Sequence, residues 1–542
     1  METEMTDRQE KAGESEKRWN MKNILRLFCG AGVYVFLFFL VLVYSLYAPE
    51  GYIQIATNKY LFYRKLCLIT AAVMIPAALL YYMAPPHHKS VWRVVDNISA
   101  TDIFVLLYLL VNIISFVGTE YREEALWGTS GWYMGFGMQL FFIGTYFLVS
   151  RFYDGRIDVL PFFMTATFVV FLWGLLNRFS IYPIDMRYDN EQFISSMGNI
   201  NWFCGFWSIF FVIGVVLYLI TENRRMRIFS GVFSVLSLGF GAVEGSDSAF
   251  LSMGVVFYFL FLISFQKTEY MKRWLELGIF YCAACQVMRI IVTIDKKSLS
   301  MDTTMMWIML GNLTLAALIL LCALRICIGK ASEKYDEDGQ WIRKWIWLKY
   351  AVIGLTTGAL IIYLVLLIYN TRAPGSLGAL SKYSIFLFDG HWGSARGATW
   401  RDCFAIYRTF SFRERLFGVG QDCFAILGYG IPELAARLKE EWPGSRLTNA
   451  HNECITHLVN VGIFGMLSFI GIFWSSFKRL LERAAKEPLC FVFAASVLSY
   501  FIHNQFSFAQ VLNTPYIYMM LGLGESLMRR MDDRDASAKP SS

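Results

Sequence analysis

The chain has 542 residues, of which 56% are hydrophobic, 17% aromatic and only 17% charged, and its mean hydropathy is +0.45. A soluble globular protein carries about 25% charged residues, so a multidomain soluble enzyme is excluded. The formal charge of +7 would point to nucleic acid in a soluble chain. Here Lys and Arg gather in the short links between apolar runs and read as topology signals.

Residues 1–23 are polar and too acidic to open a signal peptide, and no small-residue cleavage site follows the first apolar run. That run is expected to stay as an anchor behind a cytoplasmic tail. Candidate spans lie near 24–47, 66–83, 101–119, 132–150, 159–177, 202–220, 228–243, 249–265, 274–292, 305–327, 349–370, 453–475, 488–508 and 514–528. About fourteen spans are expected on length and apolarity, with 12–14 compatible. With the N-terminus inside, Lys17, Arg18, Lys89, Arg93, Arg224, Arg225, Arg227, Lys478 and Arg479 belong to inner links. The short outer links keep fewer cations, among them Arg122, Arg178, Arg187, Lys296 and Lys297, as a positive-inside arrangement requires. The tail at 529–542 then returns to the cytoplasm. The expected fold is an all-α polytopic transmembrane helix bundle in two parts, 24–370 and 453–528, with one large extracytoplasmic link at 371–452. Cys282-Ala-Ala-Cys285 lies inside an apolar run and reads as packing. Gly354-x-x-x-Gly358 reads as close helix contact.

The link from Thr371 to Ala450 has neither low complexity nor a charge run, so it is expected to fold rather than to be a loose connection. Trp400, Phe404 and Tyr407 fall at helical spacing and predict one amphipathic helix. Leu434, Leu438 and Trp442 predict a second, begun at Pro432 and stopped by Pro443-Gly444. The two helices fit either a surface layer on the membrane or a lid over a site in the bundle.

No Gly-rich phosphate loop, Walker motif or strand-Gly-helix fingerprint occurs, which argues against a nucleotide-driven pump or a nucleotide-sugar enzyme. Asn449-Ala450-His451-Asn452 closes the long link directly before the run at 453–475 and places an imidazole at the outer interface. A neutral imidazole takes a proton from an attacking hydroxyl or orients it; the plainer reading is a hydrogen-bonded cap. His451-Asn452, nine residues and then Gly462-x-x-Gly465 give H-N-x9-G-x-x-G, which resembles the signature of the O-antigen ligase and O-antigen polymerase superfamily. Arg396-x-x-x-Trp400, followed by Leu416-Phe417-Gly418-Val419-Gly420, is similar to that family's loop pattern of Arg, three residues, Trp and a hydrophobic G-x-G turn. Gly198-Asn199-Ile200-Asn201 resembles its G-N-x-N opening of a span, and Arg187 with ten residues before Gly198 is similar to the polymerases' R-x10-G. The resemblance covers roughly residues 100–525. Two positions depart from it: Ser246-Asp247-Ser248 stands where many members carry Ser-Arg-Gly, and Arg408 is out of register for a second R-x10-G.

The resemblance implies transfer of a glycan from a polyprenyl pyrophosphate carrier to a hydroxyl of a glycan, lipid or protein acceptor, in surface-polysaccharide biosynthesis. It implies a multi-pass protein of the cytoplasmic membrane whose active site faces outside. A pyrophosphate leaving group at the bilayer surface needs cations, and Arg binds it bidentately. On this reading Arg187 and Arg396 are the catalytic cations and His451 is the base or acceptor-positioning group, with Asn452 orienting it. Arg401, Trp400, Asn199 and Asn201 contact substrate. Arg289, deep in the run 274–292, is costly in lipid and reads as functional unless Asp295 pairs with it. The scheme calls for no metal or other cofactor and for no nucleic acid. Plainer readings stand beside these: Arg401 and Arg408 as a solvated helix face, Arg187 as a loop charge, Asn199 and Asn201 as helix caps, and His457 as core. A lipid-linked oligosaccharide flippase or other secondary transporter is the alternative function, although no internal repeat of the kind transporters use is visible.

Overall fold

The computed structural model describes residues 21–83, 98–188, 192–295, 299, 304–442 and 446–537. Lys17, Arg18, Lys89, Arg93, Lys296, Lys297 and the expected stop at Pro443-Gly444 lie outside them. The described residues form helices and a single two-residue antiparallel strand pair, Phe193–Ile194 with Gly198–Asn199. The chain is an all-α, multi-pass membrane protein.

In chain order the helices are α1 (Met21–Tyr44, its last turn π-helical), α2 (Ile55–Met83), α3 (Ala100–Val117), the short α4 (Arg122–Trp127), α5 (Phe136–Phe152) and α6 (Leu160–Arg178). After the strand pair come α7 (Ile200–Ile220), α8 (Arg224–Gly241), α9 (Asp247–Ser264), α10 (Thr268–Ile294), α11 (Thr304–Met309), α12 (Asn312–Tyr335) and α13 (Ile346–Arg372). The long link holds α14 (Trp392–Thr409), α15 (Phe412–Phe417), α16 (Phe424–Gly430) and α17 (Pro432–Glu441). The bundle closes with α18 (Glu453–Arg483), α19 (Cys490–His503) and α20 (Thr514–Ser537). Among the described residues ten helices are long and apolar enough to cross a membrane, against about fourteen expected spans. The other four expected positions are also helical: α5 and α19 are apolar but short, α8 opens on Arg224, Arg225 and Arg227, and α20 carries Arg and acidic residues within its length.

α7 is the centre of the bundle. Phe203, Phe206, Trp207, Phe210 and Phe211 are all fully buried along it, and their rings meet Phe171, Phe240 and Tyr516 of neighbouring helices. A helix apolar on every side satisfies its backbone internally and can be packed around its whole circumference. α13 is the opposite case, with its apolar residues exposed along the span. Gly354 and Gly358 lie on it, and a side chain at either would meet nothing within 4 Å. The expected close packing at this pair is therefore not formed among the described residues.

The links between helices fall into two sets by contact. At one end, ion pairs dominate. Asp102 accepts from Tyr146 (2.7 Å) and pairs with Arg151 (2.9 Å) and Arg529 (2.6 Å), while Arg483 pairs with Asp532 and Lys486 with Asp535, each at 3.0 Å. At the other end neutral contacts join the links between the spans: Ser196 Oγ donates to Ser45 O, Tyr52 N to Met186 O, and Gln510 Nε2 to Gly131 O. The long link belongs to this second end.

That link is folded, with a core of its own. Cys403, Ile406, Phe410, Val419, Cys423, Phe424, Leu434 and Leu438 are buried together, joined by Ala125 of α4 and Val459 of α18. Helices begin where expected, at Pro432 and around Trp400, but the buried stripe of α14 differs. It runs Thr399, Cys403, Ile406 and Phe410, while Phe404 is 43% exposed. Trp400, Phe404 and Tyr407 are the larger apolar residues. Depth is decided instead by smaller ones that let α14 approach α16 and α17 closely. A water-soluble maleimide should leave Cys403 and Cys423 unmodified in the folded protein and react with an exposed Ser376→Cys control. Mass spectrometry reads each site, and rapid native reaction at Cys403 would contradict the core just described.

Candidate functional site

α18 opens with Asn452 as its cap: the side-chain Oδ1 accepts from Ile455 N (3.0 Å) and Nδ2 donates to Gln505 O (3.0 Å). Both groups of the side chain are thus engaged, and the expected role of orienting His451 does not fit this geometry. Glu453 grips the same segment, donating from its N–H to Asn504 O (2.8 Å) and accepting at Oε2 from Ala509 N (2.9 Å). Two adjacent residues therefore hold the link 504–513 against the start of α18.

His451 sits one residue before this clamp in a left-handed conformation, φ +49°, with its N–H donating to Asn449 Oδ1 at 2.9 Å. Its ring stacks on Trp442 (5.6 Å between centroids, 9° between planes) and meets the edge of Phe508 at 5.1 Å. The buried Nδ1 has no hydrogen-bond partner. Burial and the nearby Arg396 guanidinium push the imidazole down to about 4, so it is neutral at physiological pH.

Arg396 reaches this region from α14, whose first turn is interrupted by three left-handed residues, Gly393, Ser394 and Ala395. Its Nε donates to Phe506 O at 3.0 Å, and Nη2 and Nη1 donate to Phe506 O and Gly393 O. A guanidinium has five N–H groups, so two stay available. Burial lowers its affinity for its proton and the Asp247 carboxylate opposes this. One helical turn on, Trp400 Nε1 donates to Ala450 O at 3.1 Å, beside His451. The Arg-x-x-x-Trp spacing thus fastens one face of α14 to two chain segments flanking the imidazole.

The glycines of the two motifs meet. α18 is broken at Val461 and Gly462 (φ +71°), which frees the Asn460 carbonyl to accept from Val419 N (3.1 Å) and Gly420 N (2.9 Å). Gly418 also has positive φ, +72°. A side chain at Gly418 would run into the Asn460 backbone and one at Gly462 into the backbone of Leu416. Next along the chain, Gln421 Nε2 donates to Asn112 Oδ1 (2.8 Å) and Tyr108 OH (2.9 Å). The Asp422 Oδ2 accepts from Thr129 N (2.8 Å) and Met134 N (3.1 Å), and burial pushes that carboxyl up to about 7.

The remaining candidates are placed elsewhere. Arg187 is exposed, with its N–H on Asp185 Oδ1 (2.8 Å); it forms no hydrogen bond or ion pair with Arg396 or His451 among the described residues. Arg401 pairs with Glu441 (2.8 Å) and Asp402, so it braces α14 against α17. Asn199 caps α7 through Asn201 N, while Asn201 Oδ1 accepts from Ser246 Oγ at 3.1 Å. Arg289 meets Gln286 on its own helix at 3.5 Å. His457 is buried, with Nε2 on Tyr108 OH (2.9 Å) and Nδ1 on Glu453 O (2.8 Å).

No protein-family model matches the chain, and no curated protein matches it. The arrangement itself offers a cation with two spare donors, a neutral imidazole with a free nitrogen, and aromatic walls. Sequence reasoning missed Gln421 and Asp422, whose signal is only their place after the G-x-G turn. It also missed the link 504–513, where the polar run His503-Asn504-Gln505 interrupts what otherwise reads as a span. Gly462→Ala and Gly418→Ala should each cost about 2 kcal/mol or more of stability, combining left-handed strain with backbone collision. Thermal melts and faster proteolysis within 371–450, with membrane insertion retained, are the readouts.

Proposed function

We propose that the protein is a polyprenyl-pyrophosphate-dependent glycosyltransferase of the O-antigen ligase and O-antigen polymerase type. It acts in the cytoplasmic membrane with its site facing outside, and moves a glycan to an acceptor hydroxyl in surface-polysaccharide biosynthesis. The observation that carries this reading is the meeting of Arg396 and His451 at one site, joined by Trp400 to the chain just before the imidazole. The motif positions Arg396, Gly418, His451 and Gly462 lie in the long link and the first turns of α18, and one reaction centre gives them a common purpose.

In the reaction the acceptor oxygen forms a bond to the anomeric carbon as the bond from that carbon to the pyrophosphate oxygen breaks. The acceptor proton passes to His451, and the electron pair leaves with the pyrophosphate. Arg396 stabilises the departing charge through its spare N–H groups in a partly dry site, where such stabilisation is strongest. An imidazole with its conjugate acid near 4 is a weak base in the free protein. Bound pyrophosphate places negative charge beside it and favours the protonated form, so the donor itself raises the basicity of His451.

Arg396→Lys should lose most transfer activity while the protein still inserts and folds, because an ammonium lacks the planar fork. His451→Ala should lose roughly 10²–10⁴-fold. Near-normal transfer by both variants would contradict the assignment. The neutral imidazole is the active form, so rate falls as pH drops through its pKa. The acidic limb of kcat/KM, which reports the free protein, should lie near pH 4, and that of kcat at higher pH. Coincident limbs would show that the donor does not tune the base.

A further inference from the structure

The link 504–513 carries an unusual concentration of unsatisfied groups. His503 Nε2, Asn504 Nδ2, Ser507 Oγ, Gln510 Oε1 and Asn513 Nδ2 are all buried and without a hydrogen-bond partner, and each parent residue is at most 2% exposed. Native proteins show a few such atoms per hundred residues; here five fall within eleven. Leaving a buried polar atom unpaired costs stability, so such a run calls for partners from outside the chain. The placement agrees: Arg396 donates to Phe506 O, Asn452 holds Gln505 O, and Phe508 packs on His451.

We propose that His503 and the link 504–513 form the sugar-recognising floor of the site, and that the sugar they recognise is uncharged. The proposal rests on the transferase reading for the site's identity. The orphaned atoms are mixed: the two Asn amides donate, Gln510 Oε1 accepts, His503 Nε2 accepts because Nδ1 donates to Asn504 Oδ1 (3.1 Å), and Ser507 Oγ does either. Hydroxyls of a sugar both donate and accept and match such a mixture, whereas a phosphate would call for donors alone. Residues 503–514 contain no Lys, Arg, Asp or Glu. The charges that border them, Arg396 and Glu453, are each bonded to the backbone of the link. With the spare N–H groups of Arg396 given to pyrophosphate on the transferase reading, a carboxylated sugar would find no countercharge among residues 503–514. Phe506 and Phe508 alternate with the polar residues. Phe506 lies near Trp400 (6.5 Å) and Phe508 near Trp132 (4.8 Å), which gives apolar ring surface for the C–H faces of a pyranose.

The test is saturation-transfer NMR on the full chain in lipid nanodiscs, with a panel of neutral methyl hexosides, including N-acetylated and deoxy forms, and methyl glucuronide as the charged probe. At least one neutral hexoside should bind, with methyl glucuronide weaker. Ser507→Ala should weaken hexoside binding about threefold to tenfold while the melting temperature holds or rises, because an orphaned hydroxyl is removed. His503→Gln is the second variant and should weaken binding comparably. No binding by any neutral hexoside, equal or tighter binding of methyl glucuronide, or unchanged hexoside affinity in both variants would overturn the proposal. Hexoside binding by a protein with no transfer activity would contradict the transferase reading and leave the sugar floor standing.

Discussion

The Asn460 carbonyl is the point on which the site's geometry turns. Within an unbroken helix it would accept from the residue four positions on, and the long link would have no backbone to join. The break at Gly462 leaves it open to Val419 N and Gly420 N, and Ser115 Oγ adds a third donor at 3.3 Å. Two separate stretches of chain thus share one acceptor on a third, with glycine required on both sides of the α18 joint because the backbones touch. Once this joint is made, Gln421 and Asp422 fall against α3 and the link after α4, and α14 lies where Arg396 and Trp400 reach the chain around His451.

The two ends of the bundle are stabilised by different physics. At one end, Asp102 and Glu525 gather Arg151, Arg479 and Arg529 into a network in which each charge has a partner, the condition under which buried charge is tolerated. The other end is held by backbone and side-chain hydrogen bonds, ring contacts and the ion pairs of Arg401 and Arg437 with Glu441 and Asp402, and some of its polar atoms are left open. Structural economy would fill those positions with apolar groups. Their retention beside a neutral imidazole and a partly engaged guanidinium is what a binding site looks like when stability is surrendered for function.

The helices were legible because lipid demands long apolar runs, and a helix stands at each of the fourteen expected positions. What sequence could not supply was which face of a helix would be covered. Apolarity announced Trp400, Phe404 and Tyr407, but packing selected Cys403 and Ile406 for depth. Gly354 and Gly358 had the spacing of a contact and found none among the described residues. In the site, Arg396 and His451 both reach the segment 506–508, Arg396 through the Phe506 carbonyl and His451 through the Phe508 ring. Motif spacing misread Asn452, which has the look of a catalytic partner and is a helix cap, and it grouped Arg187 with them on pattern alone. The orphaned atoms of 504–513 leave no periodic signature, since what sets them apart is a missing bond rather than a residue type.

The most direct measurement is in-vitro transfer by the purified chain in proteoliposomes, using a radiolabelled polyprenyl-pyrophosphate-linked oligosaccharide and a panel of glycan, lipid and peptide acceptors. The account predicts glycan on one acceptor class with polyprenyl pyrophosphate released in equal amount, and no turnover when Arg396 and His451 are both replaced. Movement of the intact lipid-linked donor across the bilayer with its pyrophosphate bond unbroken would contradict it.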